Sequence, residues 1–501
     1  MRAAARPFRR RESACPEEGA TQWPEGRPVN PDEAGAARGW RAWFVAVLAA
    51  VGGAVVAALA AVLAMLPPSV WAQAPSSAQA ADPEAAMRAS SADYIVLAVD
   101  NPVQRVPGRA GSSLPAYAPP LRYVVGAQAA GVLAALQREH GLLPAAAWPI
   151  PALGLHCVVY GLPPQASRDA LLRTLAADPR VRLVQPLQDF ELHAATAAPA
   201  AGALTASPSA AAAGTPADEP APAYNDPYLP LQRGFAETGA ARAHRSSTGR
   251  DVAVAVIDTG ADLAHPDLLG RVAAHRDLVA PAAAFGADRH GTEVAGVIAA
   301  VANNGQGIVG IAPGARLALY KACWYPAPAQ PTAGPAPARC NSFTLAKALA
   351  AVLDSDARIV NLSLGGPSDP LLEALLAQLL RQRRIVVTAL PPSGRAEGFP
   401  AGVAGVIVVG AAGTEALPSG VLAAPGRDVL TLAPGGRYDF ASGSSVAAAH
   451  ASGIAALLLA LQPRLDAAAL RSLLAGDAVP GQPAPSIKAD AALMRLSRAR
   501  P

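Results

Sequence analysis

The chain has 501 residues with 41 basic against 37 acidic side chains, a formal charge of +4. So even a balance, with no basic stripe carrying interleaved aromatics, argues against a nucleic-acid partner. The length allows two or three domains, one of them with a large core, and 49 Pro with 44 Gly assign a good share of the chain to linkers.

Residues 1–41 are polar and Arg-rich without an apolar period, and read as a disordered cytoplasmic leader. Ala42 to Leu66 then carries no charge over a length sufficient to span a bilayer. Arg38 and Arg41 precede it and few charges follow, so the positive-inside rule keeps the leader in the cytoplasm and places the rest outside. Ala72-Gln73-Ala74 offers an A-x-A cleavage site. Segment 42–74 therefore reads as a signal segment or as an uncleaved anchor that holds the chain to the membrane through Ala42 to Leu66. Either outcome gives an extracytoplasmic product, secreted or anchored.

Of the four cysteines, Cys15 precedes the apolar segment, Cys157 lies in the next region, and Cys323 and Cys340 flank a Pro/Ala-rich loop. An oxidising compartment favours a Cys323–Cys340 disulfide. Two buried free thiols are the alternative, since neither residue has a metal-ligand neighbour.

From Asp93 the pattern changes. Tyr94 to Val99 predicts a strand, Ala127 to His140 a helix, Leu155 to Gly161 a strand, Ser167 to Ala177 a helix and Val181 to Leu187 a closing strand. This predicts a small α+β domain over 93–192, a ferredoxin-like split βαβ unit. Its His140 and His156 are isolated and suggest no chemistry. Residues 193–223 are Ala/Pro/Ser/Thr-rich, too poor in large apolar side chains for a core, and read as a flexible, protease-sensitive linker.

Residues 224–480 read as the large domain. Asp251 to Gly260, D-V-A-V-A-V-I-D-T-G, predicts a strand buried on both faces with Asp258 at its carboxyl end, where ligand crevices of open α/β sheets lie; a turn role for Asp258 is the plainer alternative. Further strands are predicted at 317–321, 359–364, 385–389 and 406–410, with helices at Ser342 to Leu353 and Pro370 to Arg381. The alternation indicates an α/β fold, a doubly wound, mostly parallel sheet with helices on both faces. His290 opens a small-residue helix after Arg289. Ser445 follows the turn at Gly443 and starts an apolar stretch that runs to Leu461. A serine there is either a helix cap or a nucleophile facing unpaired backbone N–H groups. Residues 481–501 read as a tail.

Asp, His and Ser at one strand end and two helix starts are the types nucleophilic catalysis needs: Ser attacks, His takes its proton, Asp holds the imidazole. Their order along the chain is that of subtilisin. With D-T-G at 258–260, H-G-T at 290–292 and G-S-S-V-A-A-A-H at 443–450, the chain resembles the subtilisin-like serine proteases, the subtilases. N-D-P-Y at 225–228, H-P-D-L at 265–268, G-I-V-G-I-A-P at 307–313, N-L-S-L-G-G at 361–366 and A-P-G-R-D at 424–428 agree with it. The resemblance implies a triad of Asp258, His290 and Ser445, an oxyanion hole that includes the Ser445 backbone N–H, and an edge strand of Ser363, Leu364, Gly365 and Gly366 that pairs with an extended polypeptide substrate. It makes the 93–192 domain similar to the family's inhibitory propeptide, a partner of the large domain in the same chain. The chemistry requires no cofactor and no metal ligands are assigned; calcium is implied by the resemblance alone.

Several positions depart from the family pattern. Glu293, Ser444, Val446 and Ala449 stand where His, Thr, Met and Pro are usual. After the strand 385–389 the family's Gly-Asn pair is missing: the chain reads L-P-P-S-G-R, and Pro392, or Pro391 in a shifted register, takes the place of the Asn that donates to the oxyanion. In subtilisin losing that donor costs about 10²–10³ in turnover; Ser393 is the nearby hydroxyl that would replace it. Two functions follow, an exported serine endopeptidase and a pseudoprotease that binds peptides without cutting them. A lipase-type hydrolase is excluded, because Ser445 lacks the G-x-S-x-G frame and His precedes Ser.

Overall fold

The computed structural model describes residues 83–102, 125–164, 166–193, 223–280, 285–326, 337–413, 417–476 and 485–499. The leader, the apolar segment Ala42 to Leu66, the Ala72-Gln73-Ala74 site and nearly all of 193–223 lie outside them. Alternating apolar residues build the first sheet, from β1 (Tyr94–Asp100), β2 (Leu143–Ile150), β3 (Leu155–Gly161) and β4 (Leu183–Pro186), with helices α1 (Ala127–His140) and α2 (Arg168–Ala176) between β1 and β2 and between β3 and β4. All its pairings are antiparallel and the order is β2-β3-β1-β4, a split βαβ unit. Strand β2 was not expected. One face, with Ile95, Leu97 and Val99, packs on Leu133 and Leu136 of α1 and Leu175 of α2. The other, with Val96, Ala98 and Val159, shares a core with the large domain.

After β4 comes β5 (Asp189–Leu192). The large domain then runs β6 (Ala253–Asp258), β7 (Val272–Asp277), α3 (Arg289–Ala299), β8 (Arg316–Lys321), the short strands β9 (Cys323–Trp324) and β10 (Arg339–Asn341), α4 (Ser342–Leu353), β11 (Ile359–Leu362), β12 (Leu364–Gly365) and α5 (Pro370–Arg381). It continues with β13 (Ile385–Ala389), β14 (Ile407–Ala411), β15 (Leu422–Ala424), the pair β16 (Val429–Ala433) and β17 (Arg437–Ala441), α6 (Ser444–Leu461), α7 (Ala467–Ala475) and α8 (Ala489–Arg498).

Seven strands form a parallel sheet in the order β15-β14-β13-β11-β6-β8-β7. Because both faces are covered, the central strands β6, β11 and β13 are buried at every position rather than alternating, while the edge strand β7 is exposed over 273–276. Val254 and Val256 face α3 and α6, while Ala253, Ala255 and Ile257 face α4 and α5. Helix α6 is buried from Ser445 to Leu459, which is why it is apolar all round. Among the described residues it is the one helix long and apolar enough to cross a membrane, and 83% of that window is inside the protein.

Two expected boundaries are corrected. The stretch read as a tail contains α8, whose Ala489, Ala492, Leu493 and Leu496 are buried in the same core as α6. Arg242 Nε donates to Asp490 at 2.7 Å and fixes its start. His193, taken as the first linker residue, is 6% exposed and its N–H donates to the Ser363 carbonyl at 3.2 Å; the extended backbone begun in β5 continues through it.

Candidate active site

Strand β6 delivers Asp258 to the carboxyl edge of the sheet, and α3 delivers His290 from its first turn. His290 Nδ1 donates to Asp258 Oδ1 and Oδ2 at 2.8 and 2.9 Å, and the Thr259 N–H donates to Oδ1 at 2.7 Å. Close approach of helix to strand depends on Gly291, where a Cβ would stand 1.9 Å from the Gly260 carbonyl oxygen. Both side chains are buried, Asp258 at 2% and His290 at 3% exposure. Burial pulls the imidazole down, but the charge and hydrogen bond of Asp258, with the charge of Glu293, hold it above its ordinary value. Glu293 is itself buried, which raises its carboxyl, and accepts from Arg289 Nε at 2.6 Å.

Ser445 is 1% exposed and is the second residue of α6. The N-cap is Gly443 and no side chain caps the helix, so the capping role does not apply. The Ser445 carbonyl accepts from Ser363 Oγ at 3.5 Å, tying the helix start to the strand edge at β12. His290 Nε2 is buried without a hydrogen-bond partner among the described residues, so Ser445 Oγ is not bonded to it here. Such contacts are often long before substrate is bound.

The edge Ser363–Gly366 is occupied. Strand β5 lies between β12 and β10 in a four-stranded sheet of order β12-β5-β10-β9, with Leu364 opposite Leu192 and Gly365 opposite Glu191. The alternation Asp189-Phe190-Glu191-Leu192 is a strand signal for β5, but its partners lie about 150 to 170 positions further along. The Cys323–Cys340 disulfide is formed across the paired strands β9 and β10 and removes the free-thiol alternative. Cys157 is a buried thiol, pushed up to about 12 by burial.

Opposite Ser445 the chain turns through Leu390 to Gly394. Ser444 Oγ donates to the Leu390 carbonyl at 2.7 Å, Leu390 N–H is taken by Val409, and Gly394 N–H closes a turn on Pro391. Pro391 and Pro392 have no N–H to offer. Ser393 is exposed and its hydroxyl accepts from the Arg395 N–H at 3.4 Å, so it faces its own loop rather than the serine. The expectation that Ser393 replaces the missing donor is not met.

Asp226 (3% exposed) and Asp267 (0%) meet around the 303–308 loop, where Asp226 accepts from Asn303 N–H at 2.9 Å and Asp267 from Ile308 N–H at 3.0 Å. Burial first, then the charge of Asp267, raises the Asp226 carboxyl. Calcium, implied by the resemblance, does not fit this pair: both carboxylates are met by N–H donors, Asp267 also by Asn304 Nδ2 at 2.8 Å, and the Asn303 and Asn304 side-chain oxygens accept from the Asn225 and Gln306 N–H groups. Glu139, His140 and Asp178 also cluster, but Arg180 already bridges both carboxylates there, at 2.5 and 2.6 Å.

The described residues thus hold a buried carboxylate–imidazole pair at the carboxyl edge of a doubly wound parallel sheet and a buried serine in the first turn of α6. A family model described as "Subtilase family" matches residues 249–492. The intracellular serine protease of Paenibacillus polymyxa is 31% identical over 248 residues, 46% of this chain and 72% of that protein. Thermitase of Thermoactinomyces vulgaris is 30% identical over 246 residues, 47% and 84%. The thermophilic serine proteinase of Bacillus sp. (strain AK1) is 36% identical over 228 residues, 43% of this chain but 53% of that protein, so the chain spans about half of that relative. The solved structure of fervidolysin from Fervidobacterium pennivorans shares the fold, with a TM-score of 0.59 at 22% identity over 80% of this chain and 61% of that one. The chain belongs to the subtilase family of serine endopeptidases.

Proposed function

We propose that the chain is an exported serine endopeptidase in which Ser445 attacks the peptide carbonyl, His290 accepts and returns the proton, and Asp258 holds the imidazole and stabilises its cation. The observation that carries this is the buried Asp258–His290 pair with Nε2 left unpartnered. The acyl-enzyme forms on Ser445 Oγ as the amine leaves with the proton from His290, and water then releases the acid. Ser445 N–H, at the positive end of α6, is the donor left to the oxyanion. The domain over 93–192 acts as an inhibitory propeptide: β5 fills the substrate edge between β12 and β10. Ala42 to Leu66 carries the chain to the membrane, cleaved or as an anchor.

A fluorophosphonate probe on the processed protein tests the enzyme reading. Labelling is expected, and Ser445→Ala should abolish it. A folded, processed protein that takes no label would instead be a pseudoprotease, the reading favoured by the donor-poor corner at Pro391 and Pro392.

A further inference from the structure

We propose that the amino edge of the parallel sheet carries a binding site for a phosphate group, built from Arg250, Arg271, Arg316 and the Thr248 hydroxyl. The site is independent of what Ser445 does. Strands of a parallel sheet all begin at one edge and end at the other. Asp258 ends β6, so the residues that begin β6, β7 and β8 lie a strand length away from it, roughly 17 Å for six residues. Arg250 lies just before β6, Arg271 directly before β7, and Arg316 is the first residue of β8. The sheet order sets β6, β8 and β7 side by side, and the three arginines line one open cavity of about 490 Å³.

The charges at this cavity are not balanced from within the chain. Arg271 is half-buried and donates Nη1 to the Pro313 carbonyl at 2.6 Å, its Nε is buried with no partner, and no carboxylate among the described residues pairs with it. A guanidinium drawn partly out of water is normally matched by an anion. Arg250 is exposed, and its side chain makes no hydrogen bond or ion pair among the described residues. Arg316 spends one nitrogen, Nη2, on Asp356 at 2.8 Å and on the Asp251 carbonyl at 3.3 Å. Asp251 is the one acidic residue in the lining, so three cations face a single carboxylate there. Gly314 keeps the Thr248 hydroxyl open, since a Cβ at 314 would stand 2.7 Å from it. Forked guanidinium donors with a hydroxyl beside them are the donor set a tetrahedral oxyanion takes. The volume lies within the roughly 300–1,000 Å³ of small-molecule sites, so it admits a phosphate ester as well as the bare ion. No aromatic side chain lines the cavity, and nothing there stacks on a base.

Isothermal titration calorimetry on the full chain in an uncharged detergent tests the site. The probes are inorganic phosphate and glycerophosphoglycerol, the water-soluble headgroup of a phospholipid, with sodium chloride at equal ionic strength as the control. Saturable one-to-one binding is expected, weakened about tenfold or more by Arg250→Glu and by Arg271→Gln. Arg250 holds nothing in the fold together, so far-UV circular dichroism of Arg250→Glu should match the wild type and that variant decides the question even if Arg271→Gln is unstable. Tighter binding of inorganic phosphate supports the site and assigns it to the free ion; tighter binding of glycerophosphoglycerol supports it and assigns it to a lipid headgroup. No heat from either probe, heat reproduced by chloride, or unchanged affinity in folded Arg250→Glu overturns the proposal.

Discussion

The two sides of Ser445 differ in how completely their polar groups are provided for. Toward His290, a buried carboxylate, an imidazole and the Thr259 N–H form a short chain whose last nitrogen waits for a hydroxyl. Toward Leu390, the carbonyl is taken by Ser444, the N–H by Val409, and the next two residues are prolines. Proton transfer and charge stabilisation are separable contributions, and on the proposed reading the first has its carboxylate and imidazole in place while the second rests mainly on the helix start. A subtilase so built should be slower rather than inert, since removing one donor leaves the rest of the machinery in place.

Substitutions on the two sides test that difference. Asp258→Asn should have the largest effect, a loss of about 10⁴ in kcat, because the imidazole would be held in the wrong tautomer; steady-state kinetics on a peptide substrate measure it, and a loss under tenfold would mean the proton side is not the working half. Pro392→Asn acts on the other side and should raise kcat, by about 10- to 100-fold, toward the donor's full worth of about 10²–10³. An unchanged kcat with KM also unchanged would mean the corner does not face the oxyanion. Smallest is Glu293→Gln. The charge of Glu293 helps to raise His290, and activity needs His290 neutral, so removing it should lower that pKa and move the acid limb of the kcat/KM profile to lower pH. A shift toward higher pH would contradict the electrostatic role assigned to Glu293.

The same contrast marks what could be read from the sequence. Asp258, His290 and Ser445 each sit in a short block whose glycines and apolar neighbours have local causes: Gly291 because the helix start abuts Gly260, the apolar run after Ser445 because α6 is buried on every side. Five strands of the parallel sheet, and the helices α4 and α5, were legible because continuous β-branched runs and leucine periods suffice to define them. Strand β2, L-P-A-A-A-W-P-I, was missed: it is an edge strand with a bulge between Pro144 and Ala146, and two prolines and three alanines hide any period of two. Helix α8 carried its signal openly, apolar at 489, 492, 493 and 496, and was overlooked only because it ends the chain. The burial of His193 was not legible, since a histidine at the start of an Ala/Pro stretch packs here against Ser363 and Gly365, each more than 150 positions away.

The sheet β12-β5-β10-β9 has one further consequence. Its second strand comes from another part of the chain; on the propeptide reading β5 leaves, and the sheet would then hold a slot one strand wide, its edges about 10 Å apart. On one side β12 stands alone; on the other, β10 keeps its place because the Cys323–Cys340 bond staples it to β9. Only a segment already stretched out, with both rows of its own amide and carbonyl groups free, can slide into such a slot. Helices and paired strands are turned away whatever their side chains, so the shape of a target's backbone is screened before its sequence is read.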